Sequence, residues 1–311
     1  MHSGFAIVLA WPETLCRKAG AWYDSPMSWL KINRDDHYKV GHSAVVLVSD
    51  DSKSCSYYDF GRYHSPEGFG RVRSSCSDSD LELKTSASYS PCGSKIENLH
   101  DVLKELNSNP STHGDGPIVA SVTRVNYLLS KEYAHSLQTK NFIKYGPFII
   151  DGTNCSRFVR NVIKAGKPPK TQKYLLRFPP MLSPSPLWNV KAVGMGDKML
   201  TLHKPHACVE PTLKKSIPPN SLWLDGVGAG SWFSIVKVDH KRDDGGEYVI
   251  DRYSPYGDLE CSGIFKFKEN SKIKTSLEMS TFEVIYPSNC REVTLKIKTV
   301  KVVLLRCCRL N

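Results

Sequence analysis

The stretch "DGTNCSRFVRNVIKAG" (Asp151–Gly166) places a cysteine where a helix is about to begin. Apolar residues then recur near helical spacing, and two prolines follow Gly166, so the pattern predicts a helix that starts at Cys155. Thr153 or Asn154 is the expected N-cap, which puts Cys155 in the first helical turn. Unpaired backbone N–H groups and the positive end of the helix dipole favour an anion there, and a thiolate is such an anion.

Two interpretations of Cys155 are open. It is either a small hydrophobe buried in a core, as free cysteines usually are, or a nucleophile, which requires a base. The stretch "VGHSAVVLVSDDSKSCSYYDFGRY" supplies a candidate, because an apolar strand at Val45–Val48, turn residues at 50–52 and an aromatic-rich strand at Cys55–Phe60 predict a hairpin. His42 stands near the start of its first strand and is the candidate base, although it could also be a hydrogen-bonded core histidine.

Length and composition indicate a globular protein of one large or two medium domains. The chain has 311 residues, 40% of them hydrophobic, and can bury a substantial core. The short apolar run Phe5–Trp11 has no Lys or Arg before it and is followed by Pro12, so neither a signal peptide nor a membrane span is expected. Ten irregularly spaced cysteines without a CxxC pair predict reduced thiols and a cytoplasmic location.

The charge balance is basic, with 42 Lys and Arg against 31 Asp and Glu, for a net charge of +11. Such a charge could attract an anionic partner. The charges are scattered and no run of five Lys or Arg occurs, so there is no clear nucleic-acid signal. The sequence does not predict an oligomeric state.

The remaining segments predict an α+β protein with two domains, 1–195 and 196–311. Strands are expected at Phe5–Ala10, Gly70–Arg73 and Ile118–Val122, and helices at Glu13–Tyr23, Ile96–Leu106 and Val125–Lys140. After two Pro-rich segments the sequence consists of short runs in which apolar and polar residues alternate, and these runs predict an antiparallel β module. These runs are Trp232–Val238, Glu247–Arg252, Gly263–Lys268, Thr281–Ile285 and Val293–Leu305.

Two weaker motifs do not predict a metal or a cofactor. His203, His206 and Cys208 in "HKPHAC" are possible ligands, but no fourth ligand is apparent and the spacing matches no usual zinc signature. Glycines at positions 226, 228 and 230 lead into a strand-like run instead of a helix, which favours a tight turn over a phosphate loop.

The order of these motifs resembles a known superfamily. A histidine after a glycine on a strand, an intervening sheet, and then a cysteine in "NCSRFV" at a helix start are similar to the circularly permuted papain-like proteins. These are related to NlpC/P60 and include lecithin:retinol acyltransferase-like proteins, and in them the base precedes the nucleophile in the chain. The likeness covers about residues 1–170. Longer pieces, among them "YYDFGRYHSPEGFGRVR" and "WPETLCRKAGAWYD", resemble an uncharacterised bacterial family placed near that superfamily.

The resemblance implies a permuted papain-like catalytic domain, an antiparallel sheet with packed helices, followed by a smaller β-rich module. It also implies that Cys155 and His42 are neighbours, so that the thiolate attacks a carbonyl and an acyl-enzyme forms. The expected function is a cysteine-dependent hydrolase or acyltransferase, amidase- or peptidase-like, with a small-molecule or peptide substrate that carries an amide, ester or thioester. The alternative is a non-catalytic binding module on a papain-like scaffold.

A third polar group normally orients such an imidazole, and the hairpin register indicates Asp59. A turn centred between Asp50 and Asp51 pairs His42 with Asp59, and a turn centred one residue later keeps Asp59 a diagonal neighbour on the same face. Asp59 could also be a surface charge of the hairpin. A register between these two brings Tyr58 to this position instead, and Tyr57 and His64 are further candidates for the third group. Trp22, Tyr23 and Arg62 either line a substrate cleft or, as the favoured interpretation, take part in aromatic packing.

Overall fold

The computed structural model describes residues 2–17, 33–34, 37–39, 41–112, 114, 116–179, 183–194, 199–203, 217–225, 230–238, 246–254, 257–268, 277 and 281–307. The chain divides into two compact units. The first consists of Met1–Gly61, Gly68–Ser75 and Leu81–Ala207, and the second of Arg62–Glu67, Cys76–Asp80 and Cys208–Asn311. The division into domains 1–195 and 196–311 stays a prediction.

The first unit is built on an eight-stranded, almost wholly antiparallel sheet. In chain order the strands of this unit are β1 (Gly4–Trp11), β2 (Leu15–Arg17), β3 (Asn33–Arg34), β4 (His37–Lys39), β5 (His42–Ser49), β6 (Cys55–Gly61), β7 (Phe69–Arg73), β8 (Ile118–Val125), β9 (Ile143–Tyr145), β10 (Gly152–Thr153) and β11 (Leu200–Leu202). The large sheet has the order β10-β9-β7-β6-β5-β1-β8-β11, and only β9 and β10 are parallel. The three short strands β2, β4 and β3 form a separate small sheet.

Helices cover both faces of the central strands. The helices described in this unit are α1 (Leu99–Ser108), α2 (Tyr127–Gln138), α3 (Cys155–Ala165), α4 (Lys170–Arg177) and α5 (Pro186–Val193). Every residue of β1 and β5 is buried. One apolar cluster joins Ala6 and Val8 with α2, α3 and α5, and the other joins Ile7 and Leu9 with α1. Successive side chains of a strand point to opposite faces, which explains why these strands are continuous apolar runs.

The second unit is an antiparallel β module around its own core. Its strands are β12 (Leu222–Leu224), β13 (Ser231–Lys237), β14 (Glu247–Tyr253), β15 (Leu259–Phe267), β16 (Phe282–Ser288), β17 (Glu292–Ile297) and β18 (Val300–Arg306), in the sheet order β12-β13-β14-β15-β18-β17-β16. The buried side chains at its centre include Phe233, Phe265 and Leu304. Cys261 and Cys290 form a disulfide in this unit, so the prediction that all thiols are reduced is wrong at this pair.

The predicted α+β class, with a helix-covered antiparallel sheet followed by a β-rich module, is confirmed. The hairpin of β5 and β6 and the helix that begins at Cys155 are where the sequence placed them. Helices α4 and α5 lie in segments whose prolines indicated only interruption. Pro169 is the N-cap of α4 and Pro186 is the first residue of α5, and proline is favoured at the first helical position because it needs no N–H partner there.

Two predicted elements are wrong. The helix expected over Glu13–Tyr23 is contradicted at Leu15–Arg17, which forms β2 and pairs with β4, while residues 18–32 lie outside the described residues. The single strand expected over Val293–Leu305 is a hairpin of β17 and β18. Its turn contains Lys298 with a φ of 53°, a left-handed conformation that no glycine, proline or asparagine signalled, so the apolar alternation continued through the turn.

Candidate active site

Cys155 is the first residue of α3, and its N-cap is Asn154. The Asn154 side chain accepts a hydrogen bond from the Arg157 N–H at 2.8 Å, and Asn154 itself is extended, with φ −133° and ψ 177°. This is the geometry of an N-cap. The thiol therefore lies at the positive end of the helix, as the sequence predicted. Of the two expected N-cap residues, Thr153 and Asn154, the structure uses Asn154.

The start of α3 is held in place from two sides. On one side, the apolar face of the helix is completely buried; it consists of Phe158, Val159, Val162 and Ile163. On the other side, the Arg157 guanidinium donates hydrogen bonds to the carbonyl oxygens of Gly146 at 3.2 Å, Pro147 at 3.3 Å and Ile149 at 2.9 Å. These bonds tie the loop before the cysteine to the first turn of the helix.

His42 is the first residue of β5 and follows Gly41. Gly41 has a φ of +71°, and a Cβ at that position would lie 2.8 Å from the Trp11 carbonyl oxygen, so only glycine fits. In the register of β1 and β5, His42 lies directly opposite Trp11. His42 is 5% exposed, which makes it a buried histidine at the end of a strand.

Asp59 lies on β6 opposite Ala44, which makes it the diagonal neighbour of His42. This is the register expected for a turn centred one residue after the Asp50–Asp51 position. Its Oδ2 is 3.4 Å from His42 Nε2, and its side chain is fully buried. The separation is longer than a typical N–H···O bond, so the attraction depends on the charges of the two groups as much as on the hydrogen bond.

Of the three alternative third groups, Tyr57 lies in the same network, whereas Tyr58 and His64 lie elsewhere. Tyr57 lies beside Asp59 and donates its hydroxyl to Asp59 Oδ2 at 3.0 Å. Tyr58 belongs to the apolar cluster on the other face of the sheet. His64 is part of the second unit, where its Nδ1 is 3.1 Å from Ser231 Oγ.

Arg73 is a residue of this site that sequence reasoning missed. It lies directly opposite Asp59 on β7, with its Nε 3.0 Å from Oδ1 and its second guanidinium nitrogen 2.6 Å from Oδ2. The same nitrogen donates to the Ser111 carbonyl oxygen at 3.0 Å. Burial would raise the pKa of Asp59, but the charge of Arg73 and the hydrogen bonds with His42 and Arg73 hold it well below its usual range. Asp59 is therefore a fixed, charged carboxylate.

The Cys155 thiol lies close enough to the His42 imidazole for each group to shift the pKa of the other. Burial would raise the pKa of Cys155, but the hydrogen bond and positive charge of His42, with further hydrogen bonds from Ser156 and the Ser43 backbone, lower it below its ordinary value. For His42, burial would lower the pKa, whereas the hydrogen bonds with Asp59 and Cys155 raise it to about 9. Both directions favour the same state, a thiolate paired with an imidazolium.

We expect Cys155→Ala to lower the pKa of His42, because the variant removes the hydrogen bond and the negative charge of the thiolate. With the pKa of His42 raised to about 9, we expect the wild-type imidazolium to be lost only as the pH rises through that value. NMR titration of the His42 ring protons measures this directly. Cys55→Ala is the control, since Cys55 is not among the groups that set the His42 pKa. The His42 titration of Cys55→Ala should match that of the wild type, and only the Cys155→Ala titration should differ. An unchanged His42 titration in Cys155→Ala would contradict the ion pair.

Trp11 is the second residue that sequence reasoning missed. Its indole stacks on the His42 ring, with the centroids 5.7 Å apart and an angle of 29° between the planes, and Trp11 is fully buried. A Cβ on Gly114 would overlap the indole ring, so the chain at Gly114 closely approaches Trp11. An aromatic face beside an imidazolium stabilises the charged form.

Gly114→Ala is expected to destabilise the protein by about 1–3 kcal/mol, because the added methyl group must displace a buried indole. Thermal or chemical unfolding measures the cost. The matched control is the same change in a Trp11→Leu background, where the smaller side chain leaves room and the added cost of alanine should largely disappear. An equal cost in both backgrounds would show that the contact with Trp11 is not what excludes alanine.

Other residues singled out in the sequence are not part of this cluster. Trp22 and Tyr23 lie outside the described residues, as do His206 and Cys208, and Arg62 belongs to the second unit. The described residues, which include His203, contain no group of three or more His, Cys, Asp or Glu side chains placed to hold a metal ion. Within the described ranges no helix is both long and apolar enough to cross a membrane.

Residues 6–171 match the family of type VI secretion system effectors described as TseH-like, and residues 221–307 match a DUF6695 C-terminal domain. Because the first match spans more than half of the 311 residues, the chain belongs to the type VI secretion system effector TseH-like family. The matched segment contains Cys155, His42 and Asp59. A bacterial family was expected from the longer sequence pieces, whereas the permuted papain-like arrangement stays a prediction.

The crystal structure of the type VI secretion system effector TseH is similar to this chain at 18% sequence identity. The match covers 65% of this chain and 94% of that chain, with a TM-score of 0.45. A comparison with curated proteins finds no significant match.

Proposed function

We propose that this effector is a cysteine-dependent hydrolase or acyltransferase, amidase- or peptidase-like, in which the Cys155 thiolate is the nucleophile. The observation that carries the proposal is a thiol at a helix start, coupled to a buried imidazole that Asp59 contacts, with Arg73 bound to Asp59. Membership of the TseH-like effector family supports it, since an NlpC/P60-like hydrolase is consistent with that family. The side chains of this site all belong to the first unit; they are His42, Asp59, Arg73 and Cys155.

The proposed chemistry is acyl transfer. The thiolate attacks the carbonyl carbon of an amide, ester or thioester, so that a C–S bond forms and the carbonyl electrons move to oxygen. Backbone N–H groups at the start of α3 are suited to stabilise this oxyanion. When the intermediate collapses, the leaving group takes the proton of His42. Water or another acceptor then attacks the acyl-enzyme, gives its proton to His42 and regenerates the thiolate.

In this proposal the base lies in β5, before the nucleophile in the chain, as in the permuted papain-like superfamily. Asp59 keeps the imidazole in place and favours its charged form, and Arg73 keeps Asp59 ionised. The substrate class is a small molecule or peptide with an amide, ester or thioester. The protein is proposed to fold and remain in a cytoplasmic environment before its delivery as an effector.

An activated acyl donor tests the proposal without knowledge of the natural substrate. We expect p-nitrophenyl acetate to leave one acetyl group on Cys155, detectable by intact-mass and peptide analysis, and His42→Ala to abolish it. The experiment is done in a Cys92→Ser background, because Cys92 is an exposed thiol whose pKa is lowered to about 7 by hydrogen bonds with Ser94 and Ser90. No adduct on Cys155, or equal adducts with and without His42, would favour a non-catalytic binding module instead.

A further inference from the structure

Most of the excess positive charge lies in the segment that follows the candidate nucleophile Cys155 in the sequence. Between Asp151 and Asp197 there is no Asp or Glu, and the stretch contains eight Lys and Arg. The chain as a whole has a net charge of +11, so this stretch accounts for most of the excess. The apparent scatter of basic residues along the sequence conceals the stretch, because its Lys and Arg are separated by two or more other residues.

Six of these side chains form what we call the basic face, on α3, on α4 and in the connection between them. They are Arg160, Lys164, Lys167, Lys170, Lys173 and Arg177. Along α4 and its C-cap, Phe178, the residues at 170, 173, 174, 177 and 178 recur at helical spacing and are all exposed, whereas Leu176 is fully buried. Two of these exposed residues are aromatic, Tyr174 at 66% and Phe178 at 56% exposure.

The positive charges of the basic face crowd one another. Burial lowers the pKa of Lys164, and the charges of Arg160, Arg177 and Lys173 lower it further, which places side chains of both helices within electrostatic range. In the described part of the chain none of the six side chains has an ion pair. Like charges gathered on a surface without compensation destabilise the isolated protein, and an anionic partner would offset that cost.

We propose that the basic face docks on an anionic phospholipid surface, with Tyr174 and Phe178 inserted at the level of the headgroups. Clustered Lys and Arg next to exposed aromatic side chains are typical of segments that bind anionic bilayers. Four of the six cations are lysines, which act as point charges toward lipid phosphates and do not need a fixed bidentate geometry.

The aromatic geometry favours a bilayer over a single-stranded nucleic acid. The Tyr174 and Phe178 rings are packed against each other, with centroids 5.2 Å apart and tilted by 57°. The Arg177 guanidinium lies 5.4 Å from the Phe178 ring centroid. Single-stranded nucleic acids bind by stacking successive bases on open aromatic faces, and here the faces are partly occupied by these neighbours.

Vesicle co-sedimentation tests the proposal with the full chain. We expect binding to phosphatidylcholine vesicles that contain about 30 mol% phosphatidylglycerol, no binding to pure phosphatidylcholine, and loss of binding as salt rises from about 0.1 M to about 0.5 M. Reversing three charges with Lys170→Glu, Lys173→Glu and Arg177→Glu should lower the partition coefficient at least about 100-fold. Tyr174→Ser with Phe178→Ser should lower it about 10-fold.

The matched control reverses three exposed lysines elsewhere, Lys104→Glu, Lys140→Glu and Lys301→Glu, which changes the net charge by the same amount. It should lower the partition coefficient by less than about 5-fold. Thermal melts establish that each variant is folded. Equal losses in the two triple variants, or no binding of the wild type to the anionic vesicles, would overturn the proposal. It would equally be overturned if the wild type bound a single-stranded oligonucleotide through this face and left the vesicles unbound.

Discussion

Cys155→Ser is expected to lower acyl transfer by about three orders of magnitude or more while the protein stays folded. Serine tolerates the first turn of a helix, and the loss of volume is small, so the melting temperature should change little. The hydroxyl cannot replace a thiolate, because its pKa is far too high for the His42 pair to ionise it. The measurements are the amount of acyl adduct on residue 155 and the melting temperature of the same preparation.

Cys55→Ser is the matched control for this prediction. Cys55 is also a buried free thiol on a strand of the first unit, but burial and the charge of Glu105 raise its pKa to about 11. A serine there places a hydroxyl in a core and should cost about 1–3 kcal/mol of stability with no loss of acyl transfer. If Cys155→Ser destabilised the protein as Cys55→Ser does and left the adduct unchanged, Cys155 would be a core residue and not a nucleophile.

Arg73→Met is expected to have the largest effect on stability, about 3–5 kcal/mol. The Arg73 and Asp59 side chains are 4% and 0% exposed. Removal of the guanidinium therefore leaves the Asp59 carboxylate buried, and of the partners described above it keeps His42 and Tyr57. The pKa of Asp59 should rise for the same reason. Chemical denaturation of wild type and variant measures the free energy of unfolding.

The chain contains a matched pair for this experiment. Arg124 also binds both carboxylate oxygens of Asp50, through its two terminal nitrogens at 2.8 Å and 2.6 Å, but the two side chains are 29% and 31% exposed. Because water solvates the remaining carboxylate there, Arg124→Met should cost no more than about 1 kcal/mol. Equal costs at Arg73 and Arg124 would contradict the role of burial in the Arg73–Asp59 pair.

Local patterns were sufficient to predict the parts of the site that depend on neighbouring residues. The N-cap, the first turn of α3 and its apolar face are all encoded within residues 153–166, so Cys155 could be placed correctly. The hairpin of β5 and β6 is equally local, and its turn residues left only neighbouring registers open, of which the structure adopts the one that makes Asp59 a diagonal neighbour of His42.

Arg73 and Trp11 could not be recognised in the same way, because each depends on a pairing between strands. Arg73 reaches Asp59 through the register of β6 and β7, whose seven-residue connection, 62–68, is too long for a two-residue turn signal. Trp11 meets His42 through the pairing of β1 with β5, strands more than 20 residues apart in the chain. Burial also changes the meaning of Asp59, since a charge in a hairpin is usually on the surface and here it is enclosed by an arginine.

The disulfide was missed for a related reason. Cys261 and Cys290 are separated by 29 residues and meet only when β15 and the turn before β17 have been placed in the second unit. The number and spacing of all ten cysteines suggested reduced thiols for the whole chain, and they gave no information about a single pair within one unit. The cytoplasmic location stays a prediction.

The most direct test of the central claim is the rate at which iodoacetamide alkylates each cysteine at about pH 6.5, read by peptide mass spectrometry in the wild type and in His42→Ala. If His42 keeps Cys155 as a thiolate, Cys155 should react faster than Cys55, and the His42→Ala change should slow it at least about 10-fold while Cys92 reacts at the same rate in both proteins. Equal rates for Cys155 with and without His42, or no selective reaction at Cys155, would contradict the thiolate–imidazolium pair.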